Sequence, residues 1–291
     1  GVFGEGGEPW LRRVRLGRSM PTTSDPAGRG QADGGAPSHE SVSPSLRRDV
    51  PASIPLAFEL KFLLDEERAR GVEEHLSRAL LPDPHSDPTL GGMYAISNLA
   101  LDSPELGVYH RDWRMKNRKC RVRQYGSSPV LFLERKWSRR RRVRKRRVEA
   151  TLDDMPRLSE GDAGNLAQAW FLREVRAHDL APVCRVRYLR RALFGVCSEG
   201  PMRVTFDRNI RGSLAPGWSL GFDAEERRLL DGAVVCEFKY YGSIPSPLKA
   251  AIAAMRLHPT GVSKYRTCVR AFARELGVEV PALPPAGVER A

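Results

Sequence analysis

The chain has 291 residues, with 48 Lys plus Arg against 35 Asp plus Glu, a formal charge of +13 and a pI near 10.0. That charge concentrates polyanions near the surface, whether nucleic acid, anionic membrane or phosphorylated metabolites, without choosing among them. No apolar run approaches the roughly eighteen residues of a membrane span, the first residues hold no signal-peptide core, and five scattered cysteines without a CxxC argue against a metal knuckle or a disulfide framework, so a reducing cytoplasm is the expected compartment.

Residues 1–55 are dense in Gly, Pro and Ser and poor in large apolar residues, so they cannot offset their ordering entropy and read as a disordered basic leader. The chain begins at Gly1 rather than Met, as expected of a sequence whose native N-terminus is missing. Residues 56–281 are predicted to form the folded domain, and the Pro-rich 282–291 a flexible tail. FELKFLL (58–64) reads as a strand, after which Asp65 can cap a helix running to about Leu81, weakened by Gly71. MYAISNLALD (93–102) reads as a strand and ELGVYHRDW as a short helix or turn. CRVRQY (120–125) and VLFLERKW (130–137), split by GSSP, read as a hairpin. The run SRRRRVRKRR (138–147) reads as an exposed charged loop or a grip for nucleic-acid backbone. A helix is predicted over 163–180, with Leu166, Trp170 and Leu180 apolar, then strands over 182–190, 191–196, 202–207 and AVVCEFKY. Helices over Leu248–Leu257 and Ser263–Leu276 close the domain. With six to eight mostly antiparallel strands and no βαβ rhythm, the fold class is α+β, with a closed or strongly curled sheet as the chief candidate.

One pattern recurs along the strands. Glu59/Lys61, Arg121/Arg123, Glu134/Lys136, Arg185/Arg187, Arg203/Thr205/Asp207 and Glu237/Lys239 each share one face of a period-two element. A solvated sheet face accounts for any one of them. Six together, rich in arginine and mixed in sign, point to side chains directed into an enclosed lumen, where buried cations need counter-charge. Arginine forks match phosphate oxygens. Carboxylates beside them suggest a divalent cation, Mg²⁺ or Mn²⁺, shared with phosphate, and Glu59, Glu134 and Glu237 are the candidate donors.

In order and spacing, ELKFLL (59–64), SNLALDSP (97–104), CRVRQYG, FLERKW, VRYLRRALFG, MRVTFDRNI, CEFKY and VSKY resemble the VTC domain, the polyphosphate polymerase module of the triphosphate tunnel metalloenzyme (CYTH-like) superfamily. The resemblance covers residues 56–270 and implies an antiparallel β-barrel tunnel with flanking helices. It implies that Arg121, Arg123 and Lys136 bind phosphates of ATP or of the growing chain, that Lys61, Arg187 and Arg203 line the same tunnel with Lys239 as a further candidate, and that Glu237 holds the metal. Lys264, with Ser263, approaches from the last helix. The implied reaction moves the γ-phosphoryl group of ATP onto inorganic polyphosphate. A membrane-protein partner or an anionic membrane surface at its inner face suits such a protein, and no specific nucleic acid is expected.

This sequence departs from the superfamily pattern in places. The ExExK pattern reads Ala57, Glu59, Lys61, so the first acid is missing, which argues against the triphosphatase and cyclase branches. The aromatic residue usual before Asp102 is absent, and the run at 138–147 is unusually basic, with Lys145 and Arg146 near a tunnel mouth. Triphosphate hydrolysis, simple polyphosphate binding, and nucleic-acid binding through 139–147 remain as alternatives. Against the last, Phe132 and Trp137 alternate toward a core rather than offering stacking faces.

Overall fold

The structure, a computed structural model, describes residues 57–280 apart from 116, 140, 141, 166 and 222–224. The expectations for the leader, the tail and Leu166 therefore lie outside the described residues. In chain order the elements are β1 (Ala57–Leu64), α1 (Glu66–Leu76), β2 (Leu81–Pro82), β3 (Tyr94–Asp102), α2 (Gly107–His110), β4 (Arg118–Tyr125), β5 (Val130–Arg139) and β6 (Arg142–Thr151). There follow α3 (Met155–Ser159), α4 (Ala169–Ala177), β7 (Ala181–Cys197), β8 (Gly200–Leu214), β9 (Arg227–Arg228), β10 (Val234–Tyr241), α5 (Ser246–Ala254) and α6 (Lys264–Ala271). The strands form one antiparallel sheet in the order β1-β10-β8-β7-β3-β4-β5-β6, with β2 beside β7 and β9 beside β8.

Several predicted elements change shape. The two strands expected over 182–196 are one strand, β7, paired with β8 almost throughout. The helix expected over 163–180 is confined to α4, and the early helix ends at Leu76. Asp65 does cap α1, its Oδ1 accepting from Arg68 N at 2.7 Å. The described part of the basic run is strand and not loop, because β5 extends to Arg139 and β6 begins at Arg142 and pairs with it to Thr151.

Hydrophobic residues occupy the outer face of the sheet, and helices cover them. Phe62, Val204, Phe206, Cys236 and Phe238 pack with Ala69, Val72 and Leu76 of α1 and with Leu248 and Ala251 of α5. Those α1 positions recur at the helical period, which aims one stripe at the sheet. On the other half, Leu99, Val122, Leu131 and Leu133 pack with Met155, Leu158, Trp170, Phe171 and Leu172 of α3 and α4. Each fully buried side chain of this size contributes about 1.5–3 kcal/mol, so the two outer layers decide which face turns inward.

The inward face is the charged one, and the sheet curls around it. Lys136 on β5 reaches Glu59 on β1, Nζ to Oε2 at 2.5 Å, although these strands stand near opposite ends of the strand order. No ladder joins β6 to β1 among the described residues, so the tunnel is a curled sheet and not a hydrogen-bonded barrel. One end of the inner face is apolar. There Cys184, Val186 and Ile210 pack with Cys268 and Phe272 of the α6 segment. Gly212 permits this: a Cβ at that position would stand 2.5 Å from Cys268 Sγ.

Candidate functional site

The lumen is built from cross-strand rows. Arg121, Glu134 and Arg147 stand side by side on β4, β5 and β6, and Lys119, Lys136 and Lys145 form the next row. Glu134 is 1% exposed and is the hub of the first row. It accepts from Arg121 Nε at 2.7 Å and from Arg147 Nη2 at 2.6 Å, while Lys145 Nζ lies 3.0 Å and Arg123 Nε 3.8 Å away. Burial alone would raise its carboxyl pKa, but Arg123, Arg121, Lys145 and Arg147 hold it well below the usual carboxylate range.

The opposite wall carries a second cluster. Arg190 clamps Asp207 bidentately at 2.6 and 2.7 Å, and Lys264 of α6 reaches the same carboxylate at 2.6 Å. Burial opposes ionisation of Asp207, yet Arg190 and Lys264 lower its pKa to about 2. Ser263 caps α6, its Oγ accepting from Arg266 N, and Tyr265 Oη donates to the buried Asp102 at 2.5 Å. These two contacts fix the helix end that delivers Lys264. Arg203 donates from Nη2 to Asp83 and to Tyr94 Oη, both at 2.9 Å. Arg123, 5% exposed, donates to Asn98 Oδ1 at 2.8 Å and to Tyr125 Oη at 3.3 Å.

Two carboxylates have fewer cationic partners. Glu237 stands 3.6 Å from Lys61, and Glu59 meets Lys136. Burial would raise the Glu237 pKa, but Lys61, Lys136, Arg190 and Lys264 pull it down. Beside it in register lies Thr205, whose buried Oγ1 has no hydrogen-bond partner among the described residues. Lys119, on the same face, is exposed, and partial desolvation beside the walls, then Lys61, Lys136 and Arg121, pushes its ammonium down to about 8. Tyr125 is the reverse case: burial raises its phenol, and Arg123 and Arg147 more than offset this, lowering it to about 7.

The structure thus gathers Lys61, Arg121, Arg123, Lys136, Arg203, Glu237 and Lys264 around one lumen, with Lys239 half-buried on the same face between Glu59 and Arg203 in register. It does not gather Arg187. On β7 the inward residues are Val186, Tyr188 and Arg190, which pair with Asn98, Ile96 and Tyr94 of β3. Arg187 turns outward to Glu226, as does the neighbouring Arg185 to the Gly221 carbonyl. The physical reason is the apolar end: α6 packs there, so apolar residues face in and charges face out. An irregularity at Asn209, φ 47°, then keeps the lumen face of β8 on Asp207 and brings it beside Arg190. Ser263 acts as a helix cap. Arg146 is also on the outer face, while Lys145 and Arg147 face the lumen. Phe132 lies under Arg147 at 4.1 Å, on the lumen side, and Trp137 is half-buried outside the apolar clusters, so neither joins a core. Arg190, Asn98 and Tyr125 are lumen groups that sequence reasoning missed; the alternation through Tyr188 was the available signal for Arg190.

Among the described residues, no three His, Cys, Asp or Glu side chains converge as a metal cage. Glu134 and Asp207 are saturated by cations, so neither fits a metal, and Glu134 is corrected to a structural counter-ion. A small hard cation that keeps several waters and shares phosphate oxygens needs only one or two carboxylates. Glu237, with the Thr205 hydroxyl beside it, unpartnered among the described residues, and Glu59 diagonal to it on the neighbouring strand β1, fits that demand.

The family comparison matches residues 56–273 to the VTC domain. The chain belongs to the VTC domain family. A search of curated proteins finds no match. Among solved structures, a putative adenylate cyclase from Bacillus halodurans aligns at 9% identity with a TM-score of 0.44, covering 75% of this chain and 97% of that one. One from Vibrio parahaemolyticus aligns at 11% and 0.40, covering 72% and 95%. A putative adenylyl cyclase from Hippeastrum, described as having a dominant triphosphatase activity, aligns at 14% and 0.41, covering 78% and 98%. No helix among the described residues of this VTC domain is long and apolar enough to cross a membrane.

Proposed function

We propose that this protein is a polyphosphate polymerase, transferring the γ-phosphoryl group of ATP to the end of an inorganic polyphosphate chain with release of ADP. The observation that carries this reading is the convergence of Arg121, Arg123, Lys136, Arg203 and Lys264 on one lumen that also holds Glu237, in a chain of the VTC family.

The reaction needs no protein nucleophile. A terminal oxygen of the acceptor chain attacks the γ-phosphorus in line, and the bond from that phosphorus to the β–γ bridging oxygen breaks, leaving ADP. The protein's task is to hold two mutually repelling anions together and to spread the transition-state charge. Arg121 and Arg123, adjacent on one face of β4, can grip neighbouring phosphate oxygens. Lys264 and Arg203 approach from the opposite wall, and Lys61 and Lys136 stand at the seam between them. When bound at Glu237, Mn²⁺ or Mg²⁺ would supply further charge compensation on the phosphate oxygens.

Incubating purified protein with ATP and Mn²⁺ and resolving products by chain length tests the reading. Long polymer is expected. Free phosphate or tripolyphosphate alone would assign the lumen to hydrolysis instead. Arg123→Ala and Glu237→Ala are expected to lose synthesis with an unchanged far-UV circular dichroism spectrum, and full activity in Glu237→Ala would remove it from the metal role.

A further inference from the structure

The outer face of the β4–β6 corner carries a cluster that the lumen does not use. Arg118, Trp137 and Arg144 form one cross-strand row, and Cys120, Arg135 and Arg146 form the next. The row beyond, Val122, Leu133 and Val148, is apolar and lies in the layer covered by α3 and α4. The arginine rows therefore begin where the helical cover stops. Helix α4 adds Arg173 and Glu174 at this border. Glu174 accepts from both Arg118 and Arg135, the latter at 2.6 Å, and His178 Nε2 stands 3.6 Å from it. Arg146 lies over the Trp170 ring at 4.5 Å, with Arg135 at 5.8 Å from the same ring. Arg144, Arg146 and Arg173 are exposed and make no ion pair among the described residues. Of the five guanidiniums only Arg118 and Arg135 pair with Glu174, and Arg135 and Arg173 repel Arg146, whose pKa burial and these neighbours lower.

We propose that this face is a second, external binding site for inorganic polyphosphate. Successive same-face residues on a strand are spaced about 7 Å apart and neighbouring strands about 4.8 Å, so Arg144, Arg146, Arg135 and Arg118 make a grid of forks that suits a linear run of phosphates. Base-bearing polyanions fit less well. The Trp170 face is already covered by Arg146, and Trp137 is half-buried between Arg118 and Arg144, so the grid offers no open aromatic ring for stacking. A lipid surface also fits less well, because none of the exposed large apolar residues lies in these rows. The same two strands carry Lys136 and Lys145 on the lumen face and Arg135, Arg144 and Arg146 on the outer one, so only the thickness of the sheet separates the patch from the lumen. Only the source of the ligand rests on the polymerase reading.

The test is equilibrium binding of long-chain inorganic polyphosphate to the full chain and to the triple variant Arg144→Ala/Arg146→Ala/Arg173→Ala, across a salt series. The variant is expected to bind at least about tenfold more weakly with a shallower salt dependence. Tripolyphosphate binding and ATP turnover should be unchanged. The matching triple lysine variant should recover part of the affinity. Unchanged polyphosphate affinity in the alanine variant overturns the proposal. So does loss of single-stranded RNA or anionic-vesicle binding while polyphosphate binding stays. If wild-type protein makes no polymer but the alanine variant still loses polyphosphate binding, the external site stands and the polymerase reading falls.

Discussion

Glu134 shows what a charged residue inside the tunnel is for. Replacing it by Gln leaves four cations around a neutral group, and removal of one partner from a buried ionic cluster costs about 3–5 kcal/mol. Urea unfolding of Glu134→Gln is expected to show that loss. Acid has a similar effect on the other wall. The folded pKa of Asp207, about 2, lies below its unfolded value. Its contribution is therefore full above the unfolded pKa of about 3.9 and disappears as pH falls through about 2. Asp207→Asn should flatten the acid limb of a melting-temperature profile. Tyr125 titrates in the physiological range instead. Above its pKa of about 7 the phenolate adds negative charge beside Arg123 and Arg147, so tripolyphosphate affinity should fall as pH rises through 7. Tyr125→Phe should remove that part of the decline, with the ligand's own titration common to both proteins. At this scale, side-chain alternation made Arg121, Arg123, Glu134 and Glu237 legible in the sequence as members of a charged face, because period two puts every second residue on the same side. It failed at Arg187 because alternation says which residues share a face, not which face looks inward. That was decided by α6, far away in the chain.

Among the elements, α6 depends most on a single small residue. Gly212→Ala would press a methyl group against Cys268 Sγ, and overpacking of this kind costs about 1–3 kcal/mol. Because the helix carries Lys264 to Asp207, the same change should weaken tripolyphosphate binding by more than a distant substitution of equal stability cost. Calorimetric titration beside thermal melting separates the two effects. A helix over Ser263–Leu276 was expected from the sequence, but the Ser263 cap and the need for a glycine opposite the helix were not. Strand β6 was hidden for another reason. A dense basic run resembles a solvated loop, and only the pairing of Lys145 and Arg147 with Glu134 on one side, and the stacking of Arg146 on Trp170 on the other, gives each face its own environment. Strand β7 was cut in two by the Arg190–Arg191 pair, one member of which points into the lumen toward Asp207 and the other toward Glu73.

At the scale of the molecule, the curl of the sheet rests on contacts between strands that are far apart in its order. Glu59→Lys should lower the melting temperature by setting two ammonium groups together at the seam. The exchange Glu59→Lys/Lys136→Glu should recover about 1 kcal/mol of that loss, read as the coupling in a double-mutant cycle. A coupling of zero would mean that the seam is held by the outer layers alone. The general architecture was legible because outer apolar and inner charged residues alternate on nearly every strand; the unzipped seam was not, since it depends on how tightly two helical layers bend the sheet. On the polymerase reading, the internal pairing would also govern which anions the tunnel admits. Lys61, Lys136, Lys145, Lys264 and the arginines beside them already have partners, so on the polymerase reading the passage would act as an ion exchanger, in which a guest displaces resident acids. A lone orthophosphate makes one such swap and loses its full freedom of movement for it. Linked phosphates make several swaps in a single event, which favours chains over monomers without any pocket shaped to measure length.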